Sequence, residues 1–172
     1  MSTVERVSAI ILAGGAGSRM GRAKAGLELH GISFLTYQIR KLHALGLRDV
    51  LVSGEAAPGE SARAVADVYP QRGPLGGIHA GLLAIENESA LVLAVDTPLI
   101  PGDFLLELIE RHQSGVTLAA LGGVPEPLIG VYDKSLAEKC GEILRGENTA
   151  IRRLLRYAVC SLVEYTGDPA PI

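Results

Sequence analysis

The chain has 172 residues, 48% of them hydrophobic but only 4% aromatic, with no tryptophan and a formal net charge of −3. A chain of this length suits one domain that buries roughly 70% of its unfolded surface. The mild acidity argues against a general nucleic-acid or membrane-surface binder, which needs a basic patch, so any anion site must be local.

Val, Ile, Leu and Ala have to build the core, and that mixture favours a layered α/β fold. The first element is a buried strand, Ser8-Ala9-Ile10-Ile11-Leu12, which runs into Ala13-Gly14-Gly15-Ala16-Gly17-Ser18-Arg19-Met20-Gly21-Arg22-Ala23-Lys24. Glycines let backbone N–H groups approach an anion and converge on it. Arg19 and Lys24 add fixed positive charge, so a nucleoside triphosphate site is expected here. Two familiar phosphate motifs do not fit. A Walker loop needs Gly-Lys-Ser/Thr, whereas Lys24 stands between Ala23 and Ala25. The dinucleotide fingerprint would follow Gly15-Ala16-Gly17 with a third glycine at position 20, but that residue is Met20, and Gly21 comes one place late for close helix–strand packing.

Phe34, Leu35, Ile39, Leu42 and Leu45 recur at helical steps, which predicts an amphipathic helix over residues 33–46 with Ser33 as N-cap and Gly46 as stop. A short buried strand follows at 49–52. Strand, loop, helix and strand within about 45 residues make a βαβ unit with parallel strands, and its ligand belongs beyond the strands' C-terminal ends. Residues 53–59 read as a surface loop and 63–68 as a short helix or strand. Gly73-Pro74-Leu75-Gly76-Gly77 opens a helix reaching about residue 86, with Pro74 in its first turn. Glycines 76, 77 and 81 leave one helical face bare, open to something flat or to close packing against a strand; paired glycines at a helix start cost about 1 kcal/mol each.

Residues 90–95 form the clearest strand, apolar on both faces and therefore central. It ends in Asp96-Thr97-Pro98. An acid at the C-terminal tip of a central parallel strand lies in the ligand crevice, so Asp96 is expected to be a metal ligand rather than a turn residue. A helix over 101–113 and a strand over 116–121 follow, then a Gly- and Pro-rich loop over 122–127 that would overhang the site, a strand over 128–132, two helices around 136–144 and 151–155, and a last strand over 159–165. Residues 166–172 have no visible element. No internal repeat or linker divides the chain, so residues 1–172 are expected to be one domain. Cys140 and Cys160 lack Cys-x-x-Cys or Cys/His spacing and read as reduced, packed thiols of a cytoplasmic protein. No run of about 18 apolar residues spans a membrane, and residues 1–6 lack the form of a signal peptide.

Leu12-Ala13-Gly14-Gly15, Ser18-Arg19-Met20-Gly21, Lys24, the Gly73-to-Gly77 block and Asp96-Thr97-Pro98 together resemble the molybdenum cofactor guanylyltransferases. These are nucleotidyltransferases of the nucleotide-diphospho-sugar transferase fold. The resemblance runs from about residue 8 to 165 and implies a three-layer α/β/α Rossmann-like sandwich with a mainly parallel central sheet. It also implies transfer of GMP from GTP to the terminal phosphate of molybdenum–molybdopterin, with Mg²⁺ as cofactor. By position, Leu12, Ala13, Gly14 and Gly15 resemble the cradle for guanine and ribose, Lys24 the triphosphate lysine, Asp67 the acid that contacts the nucleoside, and Asp96 the Mg²⁺ ligand. Ser53 stands where the family commonly has asparagine, which predicts a weaker contact. The family's Asn-rich turn after the last strand is absent, leaving Asp168 or phosphate and water to complete the metal shell. The four histidines, His30, His43, His79 and His112, form no pattern, and none is required: an ionised attacking phosphate needs no general base. The alternatives are transfer from CTP, a sugar or alcohol phosphate as acceptor, or a nucleotide-binding protein without catalysis. The expected partners are GTP and the pterin cofactor, with transient contacts to other cofactor-biosynthesis proteins and none to nucleic acid or membrane.

Overall fold

The computed structural model describes residues 2–14, 28–29, 31–55 and 57–168. Gly15, Arg19 and Lys24 lie outside the described residues, as do His30 and residues 169–172. The regular elements are β1 (Ser8–Leu12), β2 (Glu28–Leu29), β3 (Ile32–Ser33), α1 (Phe34–Ala44), β4 (Val50–Ser53), β5 (Arg63–Val65), α2 (Pro74–Ala84), β6 (Ser89–Ala94), α3 (Gly102–Arg111), β7 (Val116–Leu121), β8 (Val124–Asp133), α4 (Ala137–Leu144), α5 (Arg152–Leu155) and β9 (Cys160–Glu164).

Seven of the strands form one sheet in the order β5-β4-β1-β6-β8-β7-β9, and β2 pairs with β3 in a separate small hairpin. Four of the six pairings in the large sheet are parallel, and only β8 runs against its neighbours. The β1 and β6 strands are buried along their whole length because helices cover both faces. Successive β1 side chains alternate between two cores. Ala9 and Ile11 join the side carrying Ile39 and Leu42 of α1 and Leu105 and Leu108 of α3. Ile10 and Leu12 join the side carrying Ile78 and Leu82 of α2 and Cys140 and Leu144 of α4. This is the three-layer α/β/α sandwich that the resemblance implies.

Local chemistry sets the ends of α1. The Thr36 N–H donates to Ser33 Oγ at 3.1 Å, so Ser33 is the N-cap. At the other end Gly46, at φ +98°, donates to the His43 carbonyl at 3.0 Å while the Leu47 N–H donates to the Leu42 carbonyl at 3.1 Å, a Schellman stop. Pro74 occupies the first turn of α2, and Gly73 precedes it at φ +73°.

One expectation is corrected. The Gly- and Pro-rich residues 122–127 are not an overhanging loop: Leu121 pairs with Val124, so Gly122-Gly123 is a two-residue hairpin turn and β8 begins directly after it. Both glycines have positive φ, +58° and +77°, as a type I′ turn requires. Pro125 and Glu126 pair with β7 alone, since pairing with β6 begins at Ile129. One edge of that stretch therefore asks for no N–H, and proline is tolerated there. The ladder shifts by three residues between Leu118 and Ala119, and the buried Tyr132 hydroxyl donates to the Pro127 carbonyl across the bulge at 2.6 Å. Residues 63–68, read as helix or strand, contain the short edge strand β5.

Candidate functional site

The site is assembled at the C-terminal edge of β1, β4 and β6. Beyond β1, the Ala13 and Gly14 N–H groups both donate to the Ser53 carbonyl, at 3.0 and 2.8 Å. The chain leaving β1 is thereby held against the end of β4. Gly54 permits this, with φ +130° and so little room that a Cβ there would lie 3.1 Å from the Gly14 nitrogen. The Ser53 side chain, 4% exposed, donates from Oγ to Asp67 Oδ1 at 3.1 Å. Ser53 thus does two jobs: its carbonyl holds the Ala13-Gly14 backbone, and its hydroxyl orients a carboxylate.

The start of α2 closes this cluster from the side. A Cβ on Gly76 would lie 3.2 Å from Asp67 Oδ2, and one on Gly77 would overlap Ser53 Oγ and come within 3.0 Å of Leu12 Cδ2. A Cβ on Gly81 would lie 2.6 Å from Ile10 Cδ1. The bare glycine face is therefore filled by the chain itself: Ser53 and Leu12 lie against Gly77, Ile10 against Gly81, and Asp67 with the Tyr69 carbonyl against Gly76. Close helix–strand packing accounts for Gly77 and Gly81, and the Asp67-to-Tyr69 segment for Gly76. His79, on another face of α2, is buried, with its ring 5.6 Å from Tyr69. Burial holds its pKa below the usual histidine value, Arg145 pushes the same way, and Asp67 opposes them.

Asp96 stands beyond the end of β6 and is exposed. The Val95 N–H donates to the Leu12 carbonyl at 3.1 Å, which carries the β1 pairing one residue further and brings Asp96 to the same edge as Ala13 and Gly14. The turn around Asp96 is closed by Thr97, whose Oγ1 donates to the Ala94 carbonyl at 2.8 Å. Gln38 Nε2 reaches the same carbonyl at 3.2 Å, and Lys41 Nζ donates to the carbonyls of Pro98 and Ile100 at 2.8 and 3.0 Å. Burial pushes the Lys41 ammonium down to about 8.

The structure therefore brings Leu12, Ala13, Gly14, Ser53, Asp67 and Asp96 to one edge of the sheet. Asp168 is exposed and follows β9, whose end lies on that edge but three strand positions from β6, about 14 Å at ordinary strand spacing. Among the described residues no group of three or more His, Cys, Asp or Glu side chains is placed to hold a metal ion. Gln38, Lys41 and Gly54 were not singled out from sequence. Only Gln38 leaves a trace there, as a polar residue on the apolar stripe of Leu35, Ile39 and Leu42.

Residues 9–164 match the model of the MobA-like NTP transferase domain. The chain belongs to the MobA-like NTP transferase family. Within it, the chain is 34% identical over 137 residues to a protein of Carboxydothermus hydrogenoformans named "Probable molybdenum cofactor guanylyltransferase", covering 77% of this chain and 68% of the relative. It is 33% identical over 138 residues to the molybdenum cofactor guanylyltransferase of Rhizobium johnstonii, covering 76% of this chain and 65% of the relative. The chain thus spans about two thirds of the length of these two curated relatives. The fold is shared with the crystal structure of molybdopterin-guanine dinucleotide biosynthesis protein A from Archaeoglobus fulgidus, with a TM-score of 0.73 at 20% identity over 92% of this chain and 83% of that one. In this MobA-like chain the Leu12-Ala13-Gly14 backbone, Ser53, Asp67 and Asp96 occupy the crevice where open parallel sheets bind ligands.

Proposed function

We propose that the chain transfers GMP from GTP to the terminal phosphate of molybdenum–molybdopterin and releases pyrophosphate. The observation that carries this is the meeting of a backbone cradle, an oriented carboxylate and a second, exposed carboxylate at one sheet edge. The names of the relatives support GTP and molybdopterin as the substrates. A cytoplasmic setting goes with this reading, and product hand-over implies transient contact with other cofactor-biosynthesis proteins; of the two free thiols Cys140 is packed in the core, whereas Cys160, expected to be packed as well, is exposed.

The terminal phosphate of the pterin is already ionised and attacks the α-phosphorus of GTP. A new P–O bond forms there, the bond to the bridging oxygen of the β-phosphate breaks, and pyrophosphate leaves with the electron pair. The protein's work is positioning and charge stabilisation, as in other phosphoryl transfers. The backbone from Leu12 to Gly15 holds guanine and ribose, and Asp67, oriented by Ser53, contacts the nucleoside. Arg19 grips phosphate oxygens with two parallel N–H bonds, and Lys24 acts as a point charge. Both matter more as negative charge builds in the transition state than in the ground state.

Asp96 is the residue that would hold Mg²⁺, which supplies positive charge at the phosphate oxygens when bound. The donor set fits this ion: one exposed hard oxygen ligand is enough where phosphates and water complete the octahedron.

Calorimetric titration with GTP, CTP and ATP in the presence of Mg²⁺, together with pyrophosphate release in the presence of the pterin cofactor, tests the proposal. Preferential GTP binding and pterin-dependent release are expected. Preference for CTP makes the chain a cytidylyltransferase, absent or unselective GTP binding removes the guanylyl assignment, and GTP binding without release makes it a binding protein.

A further inference from the structure

The segment around Asp96 is an arch held at both feet by one helix. At its first foot the buried Gln38 side chain donates from Nε2 to the carbonyl of Ala94, two residues before Asp96. At its second foot Lys41 donates to the carbonyls of Pro98 and Ile100, two and four residues after it. Gln38 and Lys41 are three residues apart and so lie on one face of α1. An apolar residue would fill the position of Gln38 without leaving Oε1 buried and without a hydrogen-bond partner among the described residues. Lys41 gives up hydration to sit partly buried under the arch, with its ammonium 5.7 Å from the centre of the Tyr37 ring.

Apart from the Tyr37 ring beside Lys41, the hydrogen bonds that the two side chains make among the described residues all go to the backbone around Asp96. A carboxylate that holds a metal beside a triphosphate has to be fixed to a fraction of an ångström, and a single rigid element gripping both sides of it does that.

We propose that Gln38 and Lys41 are positioning residues that hold the Ala94-to-Ile100 arch so that Asp96 meets the nucleotide's metal ion; this rests on the function proposed above. Neither touches the reacting atoms, and each acts through the backbone. Loss of such a support costs metal affinity roughly tenfold to a hundredfold.

The test uses the whole chain with Lys41→Met and Gln38→Met, each of which keeps most of the side-chain volume, and Asp96→Asn as reference. Three quantities are measured: amide hydrogen exchange of residues 95–100, GTP affinity without metal, and the Mg²⁺ concentration that half-saturates metal-dependent GTP binding. Both Met variants are expected to speed exchange in the arch while β1 and β6 stay protected. Mg²⁺ half-saturation should rise about tenfold or more, and metal-free GTP binding should stay within about twofold, with Asp96→Asn losing the Mg²⁺ dependence altogether. A merely structural role would lower stability without moving Mg²⁺ half-saturation apart from metal-free binding. If a folded Met variant keeps wild-type Mg²⁺ dependence while Asp96→Asn loses it, the inference fails and the proposed function stands. If Asp96→Asn itself keeps the dependence, the assignment of Asp96 fails and the inference with it. Should Lys41→Met not fold, Gln38→Met decides alone.

Discussion

At the scale of single residues, the site separates groups that act on charge from groups that hold others in place. On the proposed function, Asp96 and Lys24 belong to the first kind. Replacing either by alanine is then expected to lower turnover at least about a hundredfold, because each would stabilise charge that develops in the transition state; kcat/KM of a folded variant checks this, and a loss of only a few-fold removes that residue from the proposed site. Asp49 belongs to the second kind and lies at the opposite end of β4. Its carboxylate accepts from Ser8 Oγ at 2.6 Å, from the Glu86 N–H at 2.9 Å and from Arg63 at 2.6 Å, tying the start of β1, the start of β4, β5 and the end of α2 into one knot. Asp49→Asn keeps the shape but removes the charge that three donors share. A loss of about 1.5–3 kcal/mol in urea unfolding is expected, with nucleotide binding retained. Ser53, Asp67 and Asp96 were recognisable as positions in a motif. The direct bond from Ser53 to Asp67 was not, because 14 residues separate the two and only the parallel pairing of β4 with β5 brings them together.

At the scale of elements, the glycines of α2 show how a helix becomes part of a site. Gly81 lets α2 lie on Ile10, and Gly81→Ala would drive a Cβ to 2.6 Å from Ile10 Cδ1. Overpacking of this kind costs about 1–3 kcal/mol, more than the helix propensity of about 1 kcal/mol that alanine restores, so net destabilisation is expected in thermal unfolding. Gly77→Ala carries the same overpacking and, on the proposed function, acts on nucleotide binding as well. Its Cβ displaces Ser53 Oγ from Asp67, and GTP affinity is expected to fall about tenfold, or about 1.4 kcal/mol, in calorimetry. Element positions were largely legible from apolar periodicity, as with α1, its serine cap and its glycine stop. One exception was the hairpin from β7 to β8, and the small β2–β3 hairpin was not anticipated either. Gly122-Gly123 followed by two prolines reads locally as a break, yet Pro125 sits where β8 pairs with β7 alone and Pro127 sits in the bulge, where the register skips it, and both facts belong to the sheet.

At the scale of the whole molecule, acid should weaken the fold in two steps. His79 has a pKa below the ordinary histidine value, first because it is buried. The unfolded chain therefore takes up that proton first as pH falls below about 6.5, and stability drops. Burial pulls Asp49 upward, but the Glu86 N–H, the Ser8 hydroxyl and Arg63 together outweigh it and leave its carboxyl below the usual range. Its contribution is complete above the unfolded carboxylate pKa of about 4 and is lost as pH falls through the lower, folded value. Urea midpoints between pH 3 and 8 should show a plateau near neutrality and both declines, and His79→Gln should remove only the upper one; a wild-type midpoint that is flat from pH 7 to 5 would exclude the His79 step. The sequence by itself determined the α/β class, the near-alternating order of strands and helices, the glycine-rich exit from β1 and the acid at the tip of β6. These depend on neighbours within a turn or a strand, where periodicity and glycine placement leave a record. Only the tertiary structure decided that α2 presses its glycines onto Ser53 and Ile10, that residues 122–127 turn back into the sheet, and that Gln38 and Lys41 brace the arch around Asp96. The partners of Gln38 and Lys41 are backbone carbonyls 56 to 59 residues away. A carbonyl is the same in every residue, so no side-chain pattern marks it in the sequence.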